Sequence, residues 1–175
     1  GSSNNTYTLT FAGEGNEWTA QADNYSVTAS VGTLTVKEQT IVPGDDNEMQ
    51  VIAPENVTYN GKDQKQAPVV KDGDRTLVEN KDYTLSYSKD VKNAGVVTIT
   101  ITGTGNYSGE TSCTYNILQK DVTVTTETAS KVYDGTPLTA GGKVEGIIEG
   151  ETYEFVVTGS QTDKGSSNNT YTLTF

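Results

Sequence analysis

Carboxylates in two loop-like stretches are the residues of this sequence best suited to binding a metal ion. Asp45, Asp46 and Glu48 form one group, and Asp72 and Asp74 are separated by a single glycine in the other. Carboxylate oxygens on a loop are the ligands that Ca²⁺ prefers, but neither stretch has the full EF-hand spacing. Acidic loops are more often simply solvated, so the sequence predicts no metal site.

The sequence offers little for catalysis. It contains no histidine, which removes the commonest general base and the Ser-His-Asp arrangement. Glycoside hydrolysis needs two facing carboxylates, yet the acidic residues are scattered through loops, with nothing to bring two of them together in a cleft. We therefore predict that the chain is not an enzyme and needs no cofactor.

Two tripeptides share a pattern in which a tyrosine ends a predicted strand and a turn-forming dipeptide follows it. They are Tyr59, Asn60, Gly61 and Tyr133, Asp134, Gly135. One interpretation makes the tyrosine a ligand contact. We favour a structural interpretation, in which the ring packs at the edge of a sheet, the hydroxyl bonds to the backbone, and the dipeptide makes the turn.

Trp18, which follows a glycine-rich turn signal, is the candidate ligand contact. An aromatic face on a loop can stack on a sugar. It can equally plug the end of a β-sheet core, because tryptophan is usually highly buried. Both interpretations remain open at this point.

Charge, cysteine content and apolar runs argue against a nucleic-acid partner, an internal disulfide and membrane insertion. The net charge of −11 repels phosphate backbones and anionic membranes, so we expect no nucleic-acid partner. Cys113, the only cysteine, has no partner for an internal disulfide and is expected to be a small core or sheet residue. No apolar run is long enough to predict membrane insertion.

The chain repeats itself. Residues 1–11 and 165–175 both read GSSNNTYTLTF, so the second copy starts 164 residues after the first. Self-similarity at a fixed period is typical of repeat arrays. An engineered duplication is the alternative interpretation.

Period-two alternation predicts many short strands and no helix. Between 96 and 102 it places Val97, Ile99 and Ile101 on one face and threonines on the other, so we predict these three residues and Tyr115 in a core. The predicted strands are 6–11, 25–30, 33–37, 49–52, 57–59, 67–71, 83–88, 96–102, 111–117, 122–127, 131–133, 153–158 and 170–175.

Longer motifs resemble known families. The stretches KVYDGTPLTAGGKVEG and GSQTDKGSSNNTYTL resemble the YDG-type repeat, also called the MBG-type module. VTYNGKDQKQAPVV, with the stretch from LVENKDYTLSYS to SCTYNI, resembles the bacterial immunoglobulin-like repeat found beside it. The resemblance implies an all-β fold of tandem immunoglobulin-like antiparallel β-sandwich modules, no catalysis, and an extracellular place on the surface or cell wall of a Gram-positive bacterium, in an adhesin.

The same resemblance divides the chain. Residues 1–37 are expected to be the C-terminal part of a YDG/MBG-type module, and residues 48–118 a complete bacterial Ig-like module. Residues 119–175 are expected to begin the next YDG/MBG-type module. The polar segment 38–47, which contains Pro-Gly, is predicted to be a linker. Expected partners are neighbouring repeats, another copy through strand exchange, and host glycans.

Overall fold

The computed structural model describes residues 1–9 and 24–175, and these residues form an all-β structure with no α-helix. Seven of the nine strand pairings are antiparallel. The strands are β1 (Ser2–Asn4), β2 (Thr33–Thr35), β3 (Gln39–Thr40), β4 (Met49–Ile52), β5 (Val57–Thr58), β6 (Val69–Asp72), β7 (Arg75–Thr76), β8 (Tyr83–Tyr87), β9 (Gly95–Gly103), β10 (Tyr107–Ser108), β11 (Glu110–Leu118), β12 (Thr123–Thr126), β13 (Gly142–Glu145), β14 (Glu154–Val157) and β15 (Tyr171–Thr174).

The longest strands, β9 and β11, pair along almost their whole length in the middle of the chain. They lie in a four-stranded sheet of order β5-β11-β9-β8, in which Cys113 stands opposite Ile99. A second sheet has the order β4-β6-β7. The arrangement of these sheets is compatible with a β-sandwich, and it confirms the all-β prediction.

One apolar cluster lies within the middle unit, residues 39–118. The predicted core residues Val97, Ile99, Ile101 and Tyr115 are all buried, which confirms the register read from the alternation. The full cluster of buried apolar side chains is Ile41, Met49, Val70, Leu77, Tyr83, Val91, Val97, Ile99, Ile101, Tyr107, Tyr115 and Ile117. Cys113 packs against the cluster as a half-buried sheet residue, and burial raises the pKa of its thiol.

The linker predicted for residues 38–47 is wrong for its first part. Strand β3 pairs in parallel with β10, and the amide of Ile41 donates to the carbonyl of Ser108 at 2.8 Å. Ile41 is 0% exposed and belongs to the apolar cluster. A polar stretch can thus contribute to the core through one apolar residue, so the middle unit begins near Gln39 rather than at residue 48.

Two tyrosine hydroxyls fasten the segment between β5 and β6 to the middle unit. The hydroxyl of Tyr115 donates to the carbonyl of Gln64 at 2.5 Å, and that of Tyr87 donates to the carbonyl of Gln66 at 3.0 Å. Desolvation by burial raises the pKa of both phenols. The rings therefore fill space in or beside the core while their polar ends satisfy the backbone of an irregular segment.

Asp82 is the buried charged residue among the described side chains, and it organises the turn between β7 and β8. Its carboxylate accepts two bonds from Arg75 Nη2, at 3.2 and 3.3 Å, and one from the amide of Val78 at 2.9 Å. The carboxylate thus has both an ionic and a backbone partner, as burial requires. This turn is one that sequence patterning did not predict.

Residues 119–175 form two antiparallel hairpins, β12-β13 and β14-β15. The hairpins face each other closely, because a Cβ at Gly142 would lie 3.1 Å from both Phe155 and Val157. Their inward side chains are half-buried, and no member of the apolar cluster lies in this unit. The two strands of each hairpin thus pair with each other, but the apolar side chains between the hairpins stay partly exposed to solvent.

Three predicted strands differ from the structure. Residues 6–9 and 25–30 lie outside the strands, and β1 pairs instead with β2 as a short exposed ribbon. Residues 131–133 also lack strand pairing. Residues 6–9 of the first copy carry no strand pairing, whereas Tyr171–Thr174 of the second copy pairs with β14. Alternation specifies a strand only where a neighbour accepts its hydrogen bonds. The rest of the predicted segment 6–11 lies outside the described residues.

Replacing Ile99 by Ala tests the core register. Ile99 is 0% exposed, so the substitution leaves a cavity, and we expect a loss of about 2–5 kcal/mol in the free energy of unfolding. Val96→Ala is the matched control, because Val96 lies on the same strand with its side chain 64% exposed. Urea denaturation measures both variants, and equal midpoints for the two would contradict the register.

Candidate functional site

The two predicted turn tripeptides have the same local geometry. The φ angles of Gly61 and Gly135 are both 76°, in the left-handed region that favours glycine. Asn60 Oδ1 accepts from the amide of Lys62 at 2.9 Å, and Asp134 Oδ1 accepts from the amide of Thr136 at the same distance. Each acidic or amide side chain thus bonds to the backbone two residues on, the Asx turn typical of these residue types.

The tyrosines that precede the two turns differ in surroundings. Tyr59 is half-buried against the core, and its hydroxyl donates to a carboxylate oxygen of Glu151 rather than to the backbone. Tyr133 is 67% exposed. The expectation that this ring packs at the edge of a sheet is therefore wrong for Tyr133, because Lys131–Tyr133 is not a strand and offers no edge.

Lys131 closes the second turn. Its ammonium donates to Asp134 Oδ1 at 2.7 Å and to the Thr136 hydroxyl at 2.6 Å, and that hydroxyl donates to Asp134 at 2.8 Å. The Lys131 ammonium, with the amide and hydroxyl of Thr136, holds the pKa of the Asp134 carboxyl well below its usual range. Sequence reasoning missed Lys131, although an i,i+3 pairing of opposite charges around a turn was the available signal.

A polar groove of about 620 Å³ lies beside this turn. Two of its lining residues bond to each other through the backbone: the amide of Leu138 donates to the carbonyl of Gln161 at 2.8 Å, and the amide of Gln161 donates to the carbonyl of Leu138 at 3.0 Å. Tyr133 is the aromatic residue of the lining, which otherwise consists mostly of hydroxyl, amide and charged side chains from residues 126–140 and 159–169. The groove can offer hydrogen bonds and one exposed ring face to a polar ligand.

Asn169, a residue of the groove lining, connects the two hairpins. Its Nδ2 donates to the carbonyls of Glu127 and Gly141 at 3.0 and 3.2 Å. Its Oδ1 is buried without a hydrogen-bond partner among the described residues and lies against Gly159, where a Cβ would come within 2.3 Å. The equivalent residue of the first repeat copy, Asn5, is exposed.

A second candidate site is the junction between the middle unit and residues 119–175. The Tyr59–Glu151 hydrogen bond crosses it and raises the pKa of the Tyr59 phenol. A Cβ at Gly61 would lie 3.0 Å from Ile148 Cγ2, so the first turn packs directly on the second unit. The amide of Tyr59 also donates to the carbonyl of Leu118 at 2.9 Å, next to the point where the chain leaves β11.

The remaining predicted residues do not form a site in the described part of the chain. Trp18 lies outside the described residues. No three acidic or cysteine side chains come together at metal-binding spacing within residues 1–9 and 24–175. Asp72 accepts instead from the Tyr107 hydroxyl at 3.0 Å, which connects it to the middle unit.

Comparison of the chain with protein-family models, with curated proteins and with solved structures finds no match in any of the three. Among the described residues, no helix has the length and apolarity needed to cross a membrane.

Titration of Asp134 tests the turn that Lys131 closes. Because the folded state lowers the pKa of this carboxyl, its contribution to stability is present at neutral pH and is lost as the pH falls through the lowered value. We expect Lys131→Met to raise the pKa of Asp134 toward that of an ordinary aspartate, as followed by carboxyl ¹³C NMR. Lys143→Met, which removes the exposed pair with Glu145, is the control and should leave Asp134 unchanged. An ordinary Asp134 pKa in the unsubstituted protein would contradict the geometry.

Proposed function

We propose that this chain is a non-catalytic repeat unit of a secreted or cell-wall-attached bacterial surface protein, and that it acts as a spacer in the stalk of an adhesin. Its modules would be immunoglobulin-like sandwiches. The resemblance of the YDG and YNG segments to surface repeats supports this class. The 164-residue offset between identical segments supports a tandem array, in which near-identical units extend reach.

The path of the chain through the middle unit is the observation that carries the proposal. The chain enters through β3, beside residues 106–108 at the tip of the β9–β11 hairpin. It leaves after Leu118, at the opposite end of β11. A nine-residue strand spans roughly 27 Å at about 3.3 Å per residue. A unit with its entry and exit at opposite ends adds length to an array, as a stalk requires.

The strand directions of the middle unit suit it to resist a pulling force. Strands β3 and β5 run parallel to β10 and β11, respectively. Force applied at the entry and exit therefore acts along these strands and loads their hydrogen bonds together rather than one at a time. Burial of Ile41 adds an apolar anchor next to the entry strand.

The junction supports the same role. Tyr59 and Gly61 contact Glu151 and Ile148, so the exit end of the middle unit rests on the next unit. Contacts of this kind limit the bending of consecutive units, and bending is what shortens a stalk.

Single-molecule force spectroscopy of the full chain, held at its two ends, tests the spacer role. We expect the middle unit to unfold in one step that lengthens the chain by about 25 nm, at roughly 3.4 Å per extended residue. Ile41→Ala should lower the unfolding force, because it removes the anchor beside β3, whereas Val42→Ala at a more exposed neighbour should not. Gradual extension at low force, without a discrete step, would count against a spacer that resists tension.

The exposed ring of Tyr133 beside the polar groove favours a second function, in which the chain is a glycan- or host-receptor-binding module. Aromatic faces combined with hydrogen-bonding side chains suit sugar ligands. This function uses the unit 119–175 and does not require the middle unit to bear force.

A glycan array probed with the full chain tests this alternative. If it holds, Tyr133→Ala should weaken binding to any glycan hit by about tenfold or more, equivalent to roughly 1.4 kcal/mol. Tyr153→Ala is the control, because Tyr153 is an exposed tyrosine of the same unit outside the groove lining. An array without hits, or equal loss in both variants, would reject the groove as a glycan site.

A further inference from the structure

The unit 119–175 leaves much of its apolar surface incompletely covered. Phe155, Val157 and Leu173 on one hairpin, and Val124 and Val144 on the other, are all only half-buried. Each hairpin is a two-stranded sheet, so each has strand edges that carry no partner strand. Such edges and apolar faces favour pairing with a further strand.

Residues 24–37, downstream of the first copy of the repeated sequence, contain apolar side chains that are also exposed to solvent. All described residues of 24–37 are exposed, and the side chains of Val27, Val31, Leu34 and Val36 are 50–78% exposed. Leu34 and Val36 alternate with Thr33 and Thr35, the pattern of a strand with one apolar face.

We propose that residues 24–37 of one chain bind the partly covered apolar face of residues 119–175 in a second copy of the chain. The sequence identity gives the reason. In its first copy, GSSNNTYTLTF leads into residues 12–37; in its second copy, it contains β15 of the two-hairpin unit. Residues 24–37 therefore belong to the sequence that follows this strand in the repeat.

The low charge of the segment permits docking on an apolar face, and the chain path favours a second copy over the same chain. Residues 24–37 carry a single charged side chain, Lys37, so docking buries little charge. Within one chain, the middle unit separates residues 24–37 from residues 119–175, because the chain enters this unit beside one end of β11 and leaves it at the other end. Reciprocal exchange would close a two-fold dimer, and head-to-tail exchange would build an open filament.

Sedimentation velocity of the full chain across a dilution series is the first test. We expect association that the double substitution Leu34→Ser with Val36→Ser weakens by about tenfold or more, since it removes the apolar face of the docking segment. Val96→Ser is the matched control, because Val96 is an exposed valine of the middle unit. A monomer at every concentration, or equal weakening by the control, would overturn the proposal.

Disulfide trapping identifies the two surfaces directly, because it reads which side chains meet rather than how much association is lost. In a Cys113→Ser background, chains carrying Leu34→Cys are mixed with differently tagged chains carrying Leu173→Cys. We expect a mixed disulfide between the two kinds of chain, and none when Val96→Cys replaces Leu34→Cys. If a chain carrying both substitutions instead closes on itself at high dilution, the segment docks within one molecule and the intermolecular proposal fails.

Discussion

The antiparallel ladder between β9 and β11 is the constraint on which the rest of the middle unit depends. Because side chains alternate strictly across a strand, the pairing that sets Cys113 opposite Ile99 also sends Val97, Ile99 and Ile101 into the core together. A slip of one residue would send all three into solvent. The same ladder sets the distance between entry and exit of the chain, so the core register and the proposed spacer role have one structural origin.

Irregular segments are then attached to this ladder by polar groups with buried partners. Tyr115 holds the segment before β6, and Asp82 holds the turn before β8. A buried hydroxyl or carboxylate left without a partner would be costly. Such contacts therefore specify the course of the loops, while the apolar cluster supplies the greater part of the stabilisation.

The eleven repeated residues show how far local sequence depends on its neighbours. In the second copy, Tyr171–Thr174 pairs with β14, and Asn169 bonds to the opposite hairpin. In the first copy, residues 6–9 are outside any strand and Asn5 is exposed. The sequence is the same, so the difference comes from the availability of a partner strand. A strand needs another chain segment to accept its hydrogen bonds, which an isolated stretch lacks.

What the sequence by itself determined is local: the all-β class, the buried face of β9, and the two turns at Asn60 and Asp134. Each follows from a spacing of one to three residues, which the backbone converts directly into a face or a turn. Only the tertiary structure decided that Ile41 joins the core, that Asp82 is buried, that Tyr133 is exposed, and that Tyr59 meets Glu151. These outcomes depend on segments distant in the chain coming together, and no short pattern encodes which surfaces will meet.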